Sequence, residues 1–346
     1  MRRTNRILQE KTIGKFWRLK EKQYLCSNIL TPLPTRTARS GWVFLYIDMA
    51  KIAYPKQIKS FDDQISILKS RGMVIKDEVR AKQILQNISY YRLSGYWYPL
   101  LADKQQHLFK PGSTFEQAYD LYKFDSELRK MILSEIEKIE VAVRTQLAYV
   151  MSQNYGGWWF QDTTLFANPA KLAKTISNMD EELERSDEEF IKAFKSKYTN
   201  HFPPSWIMLE ITTFGTMSIL YSNLNGGRCK RQIAKYFGVA DTVMVSWLHA
   251  MTYIRNVCAH HSRLWNRTLG ISPIMPRRTA NSFVSLPAKG TRHVYFILAI
   301  IQYWLNIVNP SNTFKTKIMT LLSKYPNIDV SAMGFPARWE NETLWL

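Results

Sequence analysis

The stretch YIRNVCAHHSRLWNR (residues 253–267) holds arginine, asparagine and histidine at spacings that suit phosphodiester chemistry. Cleaving an RNA phosphodiester needs the 2′-hydroxyl deprotonated, the leaving 5′-oxygen protonated and the charge on the phosphorane offset. A histidine, with an ordinary pKa of about 6.5, can take either proton role near neutral pH. An arginine fork matches phosphate oxygens bidentately and stabilises charge as it develops. Arg255 and His260 are therefore candidate catalytic residues, and Asn256, one turn before His260, is placed to hold an imidazole tautomer or a phosphate oxygen. These roles call for no metal or cofactor, and Asp241 is the only carboxylate in the surrounding sequence. His261 is expected to point away from His260, so a chelate between them is not expected.

These residues must be positioned by a helix, expected over Asp241 to about Asn266. On a wheel of about 100° per residue, Val245, Trp247, Leu248, Met251, Ile254 and Cys258 form an apolar face. His249, Thr252, Asn256, His260, Arg263 and Arg267 form the opposite stripe. Arg255 and His260 lie about 140° apart on that wheel. They converge only if Arg255 reaches around, the helix loosens near His260, or a second copy of the chain contributes. The residue types also suit a plainer role, since a helix C-terminus favours a cation such as His260 as a cap.

The 346 residues carry 47 Lys plus Arg against 28 Asp plus Glu, a formal net charge of +19. Between Gly227 and Arg292 there are 11 basic residues and one acid, so this window alone contributes +10. A field that concentrated attracts polyanions. Arg228, Arg231, His249, Arg263 and Arg267 are accordingly candidate RNA-binding residues. Three scattered cysteines exclude a disulfide framework and fit a reducing compartment. No apolar stretch follows the basic start, and the longest apolar run, Val294 to Val308, is short of a membrane span. The expectation is a cytoplasmic protein with no membrane partner.

Helical periodicity dominates the rest. Capping boxes are expected at Ser60 with Asp63 and at Ser113 with Glu116, and Asp77 is a third cap. NISYYRLSGYWYPLL (87–101) reads as an aromatic core wedge between helices. Phe115 to about Met151 predicts one very long helix or two abutting ones. Further helices are expected after Asn168-Pro169, from Ser186 with Glu189, over Trp206 to Leu220, Lys230 to Phe237, Arg292 to Val308 and Phe314 to Lys324, followed by a loose tail. The fold class is all-α. Its expected parts are a basic extension (1–48), an N-terminal helical region (49–112), a main helical domain (113–308) and a C-terminal tail (309–346).

Three separated motifs carry a resemblance: NISYYRLSGYWYPLL, YDLYKFDSELRKMILSEIEKIEVAVRTQLAY (119–149) and IRNVCAHHSRLWNR. From about Ile58 to Leu305 the chain resembles the Abi-like, AbiD/AbiF-type bacteriophage-resistance proteins of the HEPN superfamily. The resemblance implies a HEPN-like helical bundle and a metal-independent endoribonuclease, a toxin acting in abortive infection. It places Arg255, Asn256 and His260 on the superfamily's Arg–polar–x4–6–His signature. It also makes Glu140 and Arg144, spaced i,i+4 on the long helix, candidates for orienting the site. Because the chain has one signature, the resemblance implies a homodimer, restrained by an RNA or protein antitoxin. The alternatives are a non-catalytic RNA-binding scaffold of the same fold and a DNA-binding regulator. The latter would use RQIAKYFGVADTVMVSWL (231–248) as a helix-turn-helix.

Overall fold

Ser60 accepts a hydrogen bond from the Asp63 amide (3.1 Å), and Asp63 accepts one from the Ser60 amide (3.3 Å). This capping box starts α1, Phe61–Ser70. The computed structural model to which it belongs describes residues 53–54 and 57–346; the basic extension expected over residues 1–48 lies outside the described residues. Asp77 caps α2, Glu78–Ile88, and α3 follows at Tyr90–Trp97. A short antiparallel hairpin pairs β1, Leu101–Asp103, with β2, Leu108–Phe109. Leu68, Leu85, Leu93, Trp97 and Phe109 form a small core under these elements. The expected aromatic wedge is borne out in part: Tyr96 and Trp97 are buried and Tyr90 is half-buried, but Tyr91 and Tyr98 face solvent.

The axis of the molecule is α4, Phe115–Tyr155, one continuous helix of 41 residues. It holds no Gly or Pro, its buried residues recur at three- and four-residue steps, and Gly156 ends it at φ 79°. Its cap differs from expectation by one residue. Thr114 and Gln117 form the box, while Ser113 is spent on the Leu100 carbonyl (3.3 Å).

Asn168 caps α5, Pro169–Arg185. The next helix, α6, Glu189–Lys197, starts without a side-chain cap; the Ser186 hydroxyl accepts from the Glu188 amide (3.4 Å) instead of capping with Glu189. The helix expected over Trp206 to Leu220 is two: α7, Ser205–Ile211, and α8, Phe214–Asn223. The break comes from Thr213, whose hydroxyl accepts from the Thr216 amide (3.2 Å) and starts a new helix. After α9, Arg228–Tyr236, the chain turns through Gly238 at φ 68°, where a Cβ would collide with the Tyr303 hydroxyl. Then come α10, Asp241–Ala259, α11, Val294–Val308, and α12, Phe314–Lys324. Helix α11 is apolar on nearly every side and is accordingly buried, and α4 packs against α3, α7, α9, α10, α11 and α12. The architecture is an all-α bundle wrapped around one long helix.

The residues after Lys324 are not loose. Phe335, Trp339, Leu344 and Trp345 are buried, and the Trp345 indole donates to the Tyr295 hydroxyl (3.1 Å). Tyr295 in turn donates to Glu342, so aromatic rings and one carboxylate fasten the C-terminus to α11. No helix among the described residues is long and apolar enough to cross a membrane.

Helix α12 is anchored to the axis by Glu135, whose side chain is 1% exposed and accepts from Lys138 and Lys317 at 2.6 Å each. Burial alone would raise the Glu135 carboxyl, but the hydrogen bonds and charges of the two lysines hold it below the usual glutamate value. A depressed carboxyl contributes stability above its unfolded pKa and loses it as pH falls through the folded one. Glu135→Gln is therefore expected to melt below the wild type near pH 7. The gap should close in melting curves recorded towards about pH 3.

Candidate functional site

Along α10 the expected apolar face is realised: Trp247, Leu248, Met251, Ile254 and Cys258 are buried and Val245 is half-buried. Burial pushes the Cys258 thiol up to about 12, with the charge of Asp125 acting in the same direction, which marks it as core and not a nucleophile. His249, Arg255, Asn256 and His260 are exposed. Thr252, half-buried on the same stripe, has a buried hydroxyl without a hydrogen-bond partner among the described residues.

The helix ends at Ala259 and not near Asn266. His260 is the C-cap, its amide bonded to the Asn256 carbonyl (3.0 Å). His261 then adopts the left-handed conformation (φ 55°), its amide bonds Cys258 (3.0 Å), and the Ser262 amide bonds Val257 (3.0 Å). This is a Schellman termination with histidine where glycine is usual. A left-handed L-residue carries a steric cost that glycine avoids, so His261→Gly should raise stability by roughly 0.5–1 kcal/mol, read from the denaturant midpoint.

Because the helix stops there, Arg263 and Arg267 do not continue the exposed stripe. Both are half-buried: Arg263 donates to the Gly95 carbonyl (2.8 Å) and Arg267 to the Arg263 carbonyl (3.3 Å). Arg92 donates to the His261 carbonyl (2.7 Å), so α3 is fastened to the turn that carries His260. Sequence reading could not separate an arginine that serves phosphate from one that serves a carbonyl, since both demand the same donor.

Beneath that turn lies a group the sequence did not single out. Asp125, fully buried on α4, accepts from the Tyr96 hydroxyl (2.7 Å), the Trp265 amide (2.6 Å) and the Leu264 amide (3.1 Å), and pairs with Arg129. Burial pushes its carboxyl up, against the opposing pull of Arg129, Tyr96 and the two amides. One carboxylate thus ties α3, α4 and the chain after His260 together. The i,i+4 spacing of Asp125 and Arg129 resembles an ordinary surface pair, and only the distant Tyr96 and Trp265 reveal its burial.

On the face of α4 turned towards α10, Glu140 and Arg144 form an ion pair (3.0 Å), with side chains 18% and 12% exposed. Arg144 also donates to the carbonyls of Glu210 (3.3 Å) and Thr212 (3.1 Å). Those carbonyls are free because α7 ends there, so the helix break creates the seat for Arg144. Burial raises the Glu140 carboxyl, while the charges of Arg144 and Arg255 draw it down. The charge of Arg255, on α10, thus reaches Glu140, on α4, which is paired with Arg144. Arg228 and Arg231 are exposed on α9. The start of α9 meets the end of α4 at Cys229 and Tyr155, about 22 Å along α4 from Glu140, so neither joins this cluster.

The helix-turn-helix reading does not survive the packing. Val243 and Met244, at the first turn of the would-be recognition helix, are buried, so they cannot meet base edges. Among the described residues no group of three or more His, Cys, Asp or Glu side chains is arranged to hold a metal ion.

The arrangement is an all-α bundle with an exposed Arg–Asn–His set at one helix end and a half-buried Glu–Arg pair behind it. A family model described as "Abi-like protein" matches residues 83–266, more than half of the chain, and spans every one of these residues. The chain belongs to the Abi-like protein family. No curated protein and no solved structure matches it.

Proposed function

We propose that the protein is a metal-independent endoribonuclease of the HEPN type, of the AbiD/AbiF kind, acting in the cytoplasm as an abortive-infection toxin against phage. The observation that carries this reading is the placement of Arg255, Asn256 and His260 together at the solvent-facing end of α10, with Arg255 acting on Glu140. Family membership over residues 83–266 supports the defence role.

In this reading Arg255 holds a nonbridging oxygen of the scissile phosphate and offsets its developing charge. A histidine accepts the proton of the 2′-hydroxyl; the 2′-oxygen bonds to phosphorus, the bond to the 5′-oxygen breaks, and a histidine returns a proton to the leaving oxygen. Glu140 and Arg144 orient Arg255 from behind. One His260 per chain makes a homodimer the natural unit, since two copies of α10 would supply one base and one acid. Purified protein is expected to cut labelled RNA in excess EDTA. RNA that is bound but left intact would move the assignment to a non-catalytic scaffold.

A further inference from the structure

After α10 the chain returns along the same helix. The Gly270 amide bonds the Tyr253 hydroxyl (3.4 Å), the Ile274 amide bonds the Ser246 hydroxyl (2.9 Å), and the Trp247 indole donates to the Ile274 carbonyl (2.9 Å). The Ala280 amide then reaches the Gly238 carbonyl (2.9 Å), in the turn before α10 begins. These contacts step backwards from the His260 end of α10 to its opposite end. They bring the segment that carries Arg277 and Arg278, through Ala280, to the Gly238 turn, whose amide bonds the Lys235 carbonyl (3.0 Å) at the end of α9.

All three side chains are exposed, and among the described residues none makes a hydrogen bond or ion pair. Asp241, the one carboxylate between Gly227 and Arg292, acts on Tyr221 and Lys230 and forms no ion pair with any of the three. Their situation contrasts with that of Arg263 and Arg267, whose guanidinium groups are committed to carbonyls. Buried Pro273 and Pro276 hold the segment that presents the arginine pair. Three cations on a fixed surface, with no carboxylate paired to them among the described residues, form a seat for phosphates.

We propose that Lys235, Arg277 and Arg278 form a second RNA-backbone site, remote from His260, that grips the substrate strand away from the bond being cut. This rests on the ribonuclease reading for its substrate and adds a length requirement to it. From Ser246 to His260 the helix rises about 21 Å, and the chain beyond Ile274 extends the separation to roughly 21–30 Å. At about 3.4 Å per stacked nucleotide, the two sites lie roughly six to nine nucleotides apart. The exposed His249 lies on the α10 stripe between them.

The test uses full-length protein carrying His260→Ala, so that binding is read without cleavage, with and without Lys235→Glu, Arg277→Glu and Arg278→Glu together. Fluorescence anisotropy is recorded with single-stranded RNA of about 4 and about 20 nucleotides over a salt series. The charge reversal should weaken the long RNA at least tenfold and lower its salt slope by about 2, while the short RNA is unaffected. Unchanged affinity for the long RNA overturns the proposal, as does an equal loss for both lengths. The same reversal in an otherwise wild-type chain should raise KM for the long RNA without lowering kcat. If that parent chain cuts nothing while the binding pattern holds, the second site stands and the ribonuclease reading falls.

Discussion

Replacing His260 by alanine is expected to lower RNA cleavage by about 10²–10⁴-fold, the usual worth of a general acid or base. The fold should not notice. The imidazole is exposed, and what His260 gives the helix end is its backbone, through the amide bonded to Asn256. Surface changes of this sort stay within about 0.5 kcal/mol. The melting temperature of His260→Ala should therefore match the wild type and its RNA affinity should persist. A loss of cleavage accompanied by a fall in melting temperature would instead mark His260 as a structural cap.

The second large effect is on stability. Asp125→Ala strands Arg129 in the core and leaves the Leu264 and Trp265 amides without an acceptor. Breaking a buried pair by removing one partner costs about 3–5 kcal/mol. A domain at the low end of the ordinary range of about 5–15 kcal/mol would remain folded only marginally. Urea denaturation should show the loss as a lower midpoint. Where Asp125→Ala fails to fold, Tyr96→Phe removes a single donor and should cost about 1–3 kcal/mol. A Tyr96→Phe protein as stable as wild type would show that the network does not hold the turn in place. Because the same carboxylate fixes the chain after His260, Tyr96→Phe should also reduce activity more than it reduces RNA binding.

What could be read in the sequence was what depends on neighbours along the chain. The Ser60–Asp63 box, the apolar face of α10 and the apolar run of α11 are all set by residues within a few positions of one another, whereas Glu140 and Arg144 are singled out by the family resemblance. The all-α class followed from those local patterns. Missed features depend on contacts between distant segments or on conformations the residue type disfavours. Asp125 meets Trp265 across 140 positions, and nothing near either residue announces the other. The end of α10 was misplaced because termination by a left-handed residue is normally signalled by glycine, and here histidine supplies it. The break at Thr212–Thr213 was hidden because threonine is tolerable within a helix and only mildly favours capping. That break matters to the site, for it frees the carbonyls that seat Arg144. The C-terminal residues look loose in sequence because Trp339 and Trp345 follow no period; they pack on each other, on Phe335 and on Tyr295 at the start of α11.

The central claim is that Arg255 and His260 drive attack by the 2′-hydroxyl on the neighbouring phosphate. The most direct test is the end-group chemistry of RNA fragments made by the wild-type protein in excess EDTA, read by mass spectrometry. Fragments ending in a 2′,3′-cyclic phosphate, paired with fragments that begin with a 5′-hydroxyl, are the expected result. Fragments ending in a 3′-hydroxyl, or cleavage that EDTA abolishes, would contradict it.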